Sequence, residues 1–394
     1  MRAPLPALLA LSLLLTACGA SPAAEAPPPP PPPAEEEPLP PPPVEEEPDL
    51  AQQQLDDLIA SMSLAEQVGQ LFFARCPASD AAADVASYHL GGYVLFGRDY
   101  QDGGGGWLTA EAFTQTVQSY QDTASIPLLI GSDEEGGTVT RASRNPNLFP
   151  EGTFRSPQAL LARGKDGEDP FAADAREKSA ALARYGINVN LAPVCDVSTD
   201  PSNFIYDRTL GQDAQATAAY VASVVGAMRD AGMGSVLKHF PGYGSNADTH
   251  TGIALDTRPL ETFRTSDLLP FSAGIAAGGE TTAILVSHNI IQCMDPDLPA
   301  SLSPAVHRLL REELGFEGVV MTDDLAMDAV AAYSEEGAVA VLALEAGNDL
   351  ILTTDYRTQI PKVLEAVQSG ALSQETVTTA CRRVLRWKQA LGLL

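Results

Sequence analysis

Short apolar runs rich in β-branched and aromatic residues alternate along most of the chain with longer segments of helical periodicity. Eight such runs predict strands, at Gly69–Phe73, Gly92–Phe96, Pro127–Ile130, Asn188–Leu191, Ser235–Leu237, Ala283–Val286, Gly318–Met321 and Asp349–Leu352. The alanine-rich segments between them predict helices, for example at Ala172–Tyr185, Ala214–Ala231 and Pro304–Leu314. Alternation of strand and helix indicates an α/β fold with a parallel sheet and right-handed crossovers. Eight units favour a single-domain (β/α)8 barrel of the TIM type, with a doubly wound open sheet as the alternative.

Polar residues lie directly or a few residues after the ends of five of the predicted strands. They are Asp133, Asp196, Lys238–His239, Ser287–His288 and Thr322–Asp323. In a barrel of this kind, the carboxyl ends of the strands form the face on which active sites lie. The sequence therefore predicts that these side chains surround one site.

The first forty-nine residues lack this alternation. Residues 1–18 combine Arg2 with an apolar run that is too short to span a bilayer, which is typical of an export signal. The run ends in Leu15-Thr16-Ala17-Cys18, which resembles a bacterial lipobox and predicts lipidation of Cys18. Residues 19–49 contain fourteen Pro and eight acids but no Lys or Arg, which predicts a disordered Pro/Glu-rich linker. The folded domain is expected to span residues 50–394.

The charge of the chain limits its partners. The 394 residues carry 51 Asp and Glu against 24 Lys and Arg, a formal net charge of −27. Residues 1–49 hold eight of the acids and one base, so the folded domain retains a net charge of −20. This charge repels phosphate backbones and argues against nucleic-acid binding and against a polybasic membrane patch. A lipid anchor on Cys18 is then the expected link to a membrane.

The cysteines Cys76, Cys195, Cys293 and Cys381 lie far apart and show no Cys or His spacing typical of zinc ligands. No metal or organic cofactor is expected. Export would permit disulfides, and buried free thiols are the alternative.

The segment from Leu237 to His250 carries the most specific chemistry. Lys238 and His239 are donors suited to binding hydroxyl groups, and they precede an irregular Pro- and Gly-rich loop. On that loop Asp248 and His250 are two residues apart, which allows the carboxylate to hold the imidazole tautomer and raise its basicity. Such a pair suits general acid/base catalysis near neutral pH.

These residues resemble a known enzyme family. KHFPGYG followed by DTH, over 238–250, is similar to the signature of the bacterial β-N-acetylhexosaminidases of glycoside hydrolase family 3. Further stretches match the same family in order, namely SDEEGG at 132–137 with Arg141, NLAPVCDV at 190–197, Asp207-Arg208, ASLSP at 300–304 and GVVMTDDL at 318–325. The resemblance extends from about residue 60 to the end of the chain.

The resemblance implies a single-domain barrel and retaining hydrolysis through a covalent glycosyl-enzyme. By position the resemblance makes Asp323 the nucleophile, although by chemistry alone the adjacent Asp324 could be the reactive group. Asp324 is expected to cap the following helix. His250, assisted by Asp248, takes the place of the second carboxyl group that most retaining glycosidases use as acid/base. The residues expected to hold the sugar are Asp133, Arg141, Arg208, Lys238, His239 and His288. Tyr243 departs from the family pattern, which has His there.

The expected function is that of an envelope lipoprotein that removes terminal β-linked N-acetylglucosamine from short glycans, with peptidoglycan fragments as the substrate. It is expected to act as a monomer on a carbohydrate substrate, in the periplasm or outside the cell. A family 3 β-glucosidase or an N-acetylglucosaminide phosphorylase is the alternative among enzymes. A sugar-binding lipoprotein without catalytic activity is the alternative from another class.

Overall fold

The structure is a computed structural model that describes residues 50–164, 169–244, 254–331, 333 and 338–394. The predicted signal peptide, the lipidation site Cys18 and the predicted linker lie outside the described residues. Their boundaries therefore stay predictions.

A parallel sheet forms the centre of the fold. In the described ranges it contains eight strands, which are β1 (Phe72–Arg75), β2 (Gly92–Leu95), β3 (Leu129–Ser132), β4 (Val189–Asn190), β5 (Gly234–Phe240), β7 (Thr282–Val286), β9 (Val320–Thr322) and β10 (Ile351–Thr353). Their order in the sheet is β10-β1-β2-β3-β4-β5-β7-β9. A parallel bridge between Met321 and Leu350 brings the two ends of this order together, so the sheet closes into a barrel. The prediction of a (β/α)8 barrel is confirmed, and the open-sheet alternative is wrong.

Two further strands lie outside the barrel. β6 (Leu255–Asp256) and β8 (Ile290–Ile291) pair in parallel with each other. The apolar runs of the sequence do not predict this pair, because two-residue strands give no periodic signal. Each of them adjoins a loop at the carboxyl ends of the barrel strands.

Helices follow or precede the strands throughout the described chain. They are α1 (Leu50–Ser61), α2 (Leu64–Gln70), α3 (Ala81–Tyr88), α4 (Ala110–Thr123), α5 (Pro157–Ala162), α6 (Pro170–Ala183), α7 (Ala214–Asp230), α8 (Leu260–Thr262), α9 (Leu268–Gly278), α10 (Pro304–Arg308), α11 (Asp328–Ala331), α12 (Val339–Ala346), α13 (Tyr356–Ser369) and α14 (Gln374–Ala390). Among the helices so described, none combines the length and the apolar character needed to cross a membrane.

Local sequence explains where several helices begin. Ser63 and Glu66 form a capping box at α2, in which each side chain accepts a hydrogen bond from the backbone amide of the other residue. Asp213 caps α7 and Ser373 caps α14, each through a side-chain oxygen that accepts an amide of the first turn. The helix α2 reaches Gln70, so the first strand begins three residues later than the predicted Gly69.

The interior of the barrel is filled by side chains. Gly131 on β3 faces Phe73 and Leu191, and a Cβ atom at this position would lie 2.5 Å from the Phe73 ring and 3.0 Å from Leu191 Cδ1. A larger residue there would push apart the strands that end at the polar residues of the barrel mouth. Packing of the interior therefore fixes the positions from which the site is built.

Candidate active site

A cavity of about 550 Å³ opens at the carboxyl ends of the barrel strands. Its lining includes residues at or just after the carboxyl ends of all eight barrel strands in the described chain. The lining side chains are those of Arg75, Val94, Phe96, Asp133, Val139, Arg141, Leu191, Arg208, Lys238, His239, Tyr243, Leu285, Asp323, Asp324, Ala326, Met327, Leu352 and Thr354. Six of the predicted site residues are among them, namely Asp133, Arg141, Arg208, Lys238, His239 and Asp323.

Lys238 is the centre of a cluster of charges in the cavity wall. Its Nζ atom lies 2.6 Å from Asp133 Oδ1 and 2.6 Å from Glu135 Oε1, and its side chain is 3% exposed. Burial favours the neutral amine, but the charges of Asp133 and Glu135 outweigh it and raise the pKa of Lys238 above its ordinary value. Lys238 is therefore a fixed cation at the cavity wall.

Glu135 is a site residue that the sequence analysis missed. Arg208 donates to it twice, from Nε to Oε2 at 3.0 Å and from Nη2 to Oε1 at 2.7 Å. Burial favours the protonated acid, but Lys238 and Arg208 hold the pKa of Glu135 far below its usual range. Arg208, which is predicted to hold the sugar, thus also forms an ion pair with a buried carboxylate of the cavity wall. The available signal was the position of Glu135 within the stretch SDEEGG at 132–137, two residues after the predicted Asp133.

The tautomer of His239 follows from its partners. Its Nε2 atom lies 3.1 Å from Arg208 Nη2, and its Nδ1 atom lies 2.8 Å from Asp196 Oδ2. A guanidinium group can only donate hydrogen bonds, so Nε2 accepts and Nδ1 carries the proton that it donates to Asp196. Asp196 also accepts the amide of Tyr243 at 2.7 Å, which fixes the start of the following loop. We call Asp133, Glu135, Asp196, Arg208, Lys238 and His239 the charged cluster.

Arg141 reaches the cavity from a turn that Glu134 holds in place. The Glu134 carboxylate accepts the amides of Arg141 at 3.1 Å and of Ser143 at 3.2 Å, and it also accepts the Ser143 hydroxyl. Burial raises the pKa of Glu134, while the hydrogen bonds from Ser143 and Arg141 oppose the shift. The guanidinium carbon of Arg141 lies 5.7 Å from the centre of the Phe96 ring.

The adjacent carboxylates Asp323 and Asp324 have different surroundings. Asp323 follows β9, and its Oδ1 atom accepts the amide of Asp324 at 2.8 Å. Asp324 accepts the amide of Ala326 at 3.0 Å, and it accepts the amide and the hydroxyl of Thr354 at 3.1 and 2.9 Å. These bonds join the turn after β9 to the end of β10. The helix α11 begins only at Asp328, so Asp324 orders this turn instead of capping the helix.

His288 does not line the cavity, although the sequence analysis places it among the sugar-binding residues. It is completely buried, with Nδ1 at 2.7 Å from Ser301 Oγ and Nε2 at 3.1 Å from the backbone oxygen of Asp324. The carbonyl can only accept, so Nε2 donates to it. The structure therefore gives His288 a supporting position behind the two aspartates.

Asp248 and His250 lie outside the described residues, within 245–253. The chain on either side is anchored. Arg258 pairs with Asp256 at 2.8 Å and with Asp267 at 3.0 Å, and its Nη2 atom lies 3.4 Å from the Gly242 oxygen. Burial raises the pKa of Asp267 to about 6, although the Arg258 charge opposes the shift.

Tyr243, which takes the place of the family's histidine, is buried with its ring edge-on to His239. The ring centres are 5.1 Å apart and the planes are at 89°. The tyrosine ring therefore packs against the imidazole of the charged cluster. Its backbone amide provides a contact with Asp196.

The cysteines of the described chain, Cys76, Cys195, Cys293 and Cys381, are free thiols, and Cys293 is exposed. In the same part of the chain, no group of three or more His, Cys, Asp or Glu residues is placed to hold a metal ion.

A closed (β/α)8 barrel with carboxylates and fixed cations at its mouth defines a barrel enzyme whose substrate is rich in polar groups. The family model described as the glycosyl hydrolase family 3 N terminal domain matches residues 63–387. The chain therefore belongs to glycoside hydrolase family 3, and it is a glycoside hydrolase.

Relatives with known descriptions agree with this assignment. A β-hexosaminidase of Alkalilimnicola ehrlichii is 34% identical over 283 residues, which cover 70% of this chain and 76% of that protein. A solved family 3 β-N-acetylglucosaminidase from Paenibacillus superposes with a TM-score of 0.76 at 32% identity, over 84% of this chain and 63% of that one. A β-N-acetylhexosaminidase from Beutenbergia cavernae does so with a TM-score of 0.70 at 31% identity, over 84% and 99% of the two chains. The predicted family is thus confirmed, and these relatives support the hexosaminidase interpretation.

Proposed function

We propose that the chain is a retaining β-N-acetylhexosaminidase that hydrolyses terminal β-linked N-acetylglucosamine from short glycans. The observation that carries the proposal is the position of Asp323, which faces the same cavity as Asp133, Arg208 and Lys238. A carboxylate on a rigid strand end can be aimed at a reacting carbon while fixed polar groups hold the rest of the sugar.

The charged cluster suits the hydroxyl groups of a sugar. Asp133 is a hydrogen-bond acceptor, and Lys238 and Arg208 are donors whose positions are fixed by Glu135. A vicinal pair of hydroxyls can donate to the carboxylate and accept from the cations at the same time. Because these partners are already in place, the sugar binds without rearrangement of the cluster.

The reaction proceeds in two displacements. In the first, an oxygen of Asp323 attacks the anomeric carbon, and the bond to the leaving oxygen breaks as that oxygen takes a proton from His250. In the second, His250 removes a proton from water, which attacks the anomeric carbon and releases Asp323. Two inversions at one carbon retain the β configuration. The roles of His250 and Asp248 come from the family resemblance.

Asp323 is the better nucleophile of the adjacent pair. Both Asp324 oxygens take part in the hydrogen bonds to Thr354 and Ala326 that order the turn. Attack by Asp324 would require these bonds to break. The two aspartates therefore provide a matched comparison within one structure.

Release of p-nitrophenol from p-nitrophenyl β-N-acetylglucosaminide tests the proposal with residues 50–394. Asp323→Asn should lower kcat/KM at least about 100-fold because the nucleophile is lost, and His250→Ala should lower kcat at least about 100-fold because water is no longer activated for the second displacement. Asp324→Asn should have a smaller effect, because it alters the turn and leaves the nucleophile in place. Equal loss in both aspartate variants, or an inert parent protein, would contradict the proposal.

Mass spectrometry provides an independent test of the covalent step. With this activated substrate, His250→Ala should accumulate protein that carries one N-acetylhexosamine residue, because water is no longer activated for the second displacement. After digestion, the sugar should lie on the peptide that contains Asp323. A label on another residue would contradict the assignment of the nucleophile.

We further propose that the enzyme acts on peptidoglycan fragments at the cell envelope, where a lipid on Cys18 anchors it and residues 19–49 act as a spacer. The proposal is supported by the lipobox-like sequence and by the proline- and acid-rich composition that follows it. Full-length protein expressed in a bacterial host should incorporate labelled fatty acid. Cys18→Ser should abolish this labelling, and unchanged labelling would contradict the anchor.

A further inference from the structure

A second cavity lies at the end of the barrel opposite the active site. It is enclosed by the end of α9, the segment before β9 and the helix α14, and its volume is about 230 Å³. This is the space of about eight water molecules, which is enough for one monosaccharide. Val319 in its wall directly precedes β9, whereas Asp323 directly follows that strand. The two cavities therefore lie at opposite ends of β9.

One part of the wall is apolar and contains an unpaired donor. Ile275, Phe316 and Val319 line this part together with Trp387. The Trp387 side chain is 2% exposed, and its Nε1 atom has no hydrogen-bond partner in the described chain. An indole N–H can only donate, and a buried donor without an acceptor costs about 1–3 kcal/mol. A ligand that offers an acceptor next to an apolar group would supply the missing partner.

The charged residues of this cavity balance one another. Arg386 Nη2 lies 2.7 Å from Glu280 Oε1, and Arg383 Nη1 lies 3.0 Å from Asp349 Oδ1. Glu317 adds a further carboxylate to the lining. An ionic ligand of either sign would meet a like charge here, whereas hydroxyl groups can accept from a guanidinium and donate to a carboxylate. The lining therefore favours a neutral ligand with several hydroxyl groups.

The pair formed by Arg386 and Glu280 can open at little cost. Their side chains are 52% and 61% exposed, and such an exposed ion pair contributes only about 0–1 kcal/mol. Hydroxyl groups of a ligand can therefore take over its hydrogen bonds.

We propose that this cavity is a second sugar-binding site, which takes a neutral acetamido sugar and has no part in the reaction itself. The acetamido carbonyl accepts from Trp387 Nε1, and the methyl group beside it packs against Ile275 and Val319. The ring hydroxyls bind Arg386 and Glu280. The released N-acetylglucosamine belongs to this class of ligand, and in that respect the inference rests on the proposed function.

Tryptophan fluorescence tests the site directly, because the chain contains two tryptophans, Trp107 and Trp387. In Trp107→Phe, the emission comes from Trp387, and titration with N-acetylglucosamine should change it with a Kd of about 1 mM. Glucose has the same ring but a hydroxyl in place of the acetamido group, so it should bind at least about 10-fold more weakly. Equal affinity for the two sugars, or no saturable change, would overturn the proposal.

Two arginines of α14 provide a matched comparison in the Trp107→Phe background. Arg386→Gln should raise the Kd for N-acetylglucosamine about 10-fold, as expected from the loss of a charged hydrogen bond. Arg382, whose side chain pairs with Asp56, does not line the cavity, so Arg382→Gln should leave the Kd unchanged. Both variants should cleave p-nitrophenyl β-N-acetylglucosaminide at the parent's rate, which shows that they are folded. An equal loss of affinity in the two variants would contradict the site.

Filling the cavity provides a second test. Ile275 is half-buried in its wall, and Ile275→Phe should remove the fluorescence change while the rate of hydrolysis stays that of the parent. An unchanged titration would show that the sugar binds elsewhere and would overturn the proposal.

A substitution in the charged cluster separates this site from the active site. Asp133→Asn removes an acceptor of the catalytic cavity, yet the change in Trp387 emission should keep the same Kd. Loss of the change would place the bound sugar in the active site and would overturn the proposal. A protein that binds the sugar at Trp387 but does not hydrolyse would contradict only the proposed function, whereas an active enzyme without this response would contradict only the second site.

Discussion

Replacing Glu135 with glutamine tests whether the charged cluster is a stabilising unit. The Glu135 side chain is 2% exposed and contacts Lys238 at 2.6 Å and Arg208 at 2.7 and 3.0 Å. Glutamine has the same shape, but it has no charge and presents an NH₂ group toward cationic donors. Breaking a buried ion pair by removal of one partner costs about 3–5 kcal/mol, so we expect the free energy of unfolding to fall by that amount.

Urea unfolding at pH 7 measures the effect in the parent, Glu135→Gln, Lys238→Met and the double variant. In the double variant neither residue leaves the other as an unpaired buried charge. Its free energy of unfolding should therefore exceed the value expected from adding the two single effects by at least about 2 kcal/mol. The control Glu111→Gln alters an exposed residue of α4, and its free energy of unfolding should stay within about 0.5 kcal/mol of that of the parent. Additive effects, or a loss below about 1 kcal/mol for Glu135→Gln, would refute the reasoning.

The pH dependence provides a further check on the same residue. Lys238 and Arg208 hold the pKa of Glu135 below its unfolded value of about 4.3. The unfolded chain therefore binds more protons than the folded protein as the pH approaches that value. The contribution of Glu135 to stability is complete above about pH 4.3 and is lost as the pH falls further, so the difference between parent and Glu135→Gln should shrink in acid.

Two further predictions concern buried residues near the site and in the core. Lys388 is fully buried with Nζ 2.6 Å from Gln70 Oε1, and burial lowers its pKa to about 7. Since the unfolded lysine titrates near 10.4, the parent should gain roughly 4 kcal/mol of stability relative to Lys388→Met between pH 7 and 10, at about 1.4 kcal/mol per pKa unit; a constant difference in thermal unfolding would contradict this. His288→Leu removes the hydrogen bond to the Asp324 backbone and should lower kcat about 10-fold with little change in KM, whereas a rise in KM alone would indicate direct contact with substrate.

The barrel could be predicted from the sequence because its strands are buried on both faces. Such strands are short continuous apolar runs, and each of the eight predicted runs overlaps a barrel strand in the described chain. The first run also contains Gly69 and Gln70, which end α2, and Leu71, which follows that helix. Apolar character alone could not show where that helix gives way to the strand.

The site could be predicted only in part, because some of its contacts depend on the closed barrel. Glu135 meets Lys238 from a position 103 residues away in the sequence, and no local pattern indicates such a pairing. The position of His288 could not be predicted either. His288 follows the end of β7 by two residues, and its contacts with Ser301 and with the Asp324 backbone depend on how the segments after β7 and β9 pack together.

The charged cluster draws on the ends of β3, β4 and β5 and on the segment that carries Arg208. The cluster is therefore complete only when β5, the fifth strand of the barrel, has joined the sheet. Activity would therefore report the assembly of the barrel rather than the formation of its parts. In a refolding experiment, hydrolysis should return later than helical circular dichroism, and a chain cut between α7 and β5 should gain activity only when the two pieces reassociate.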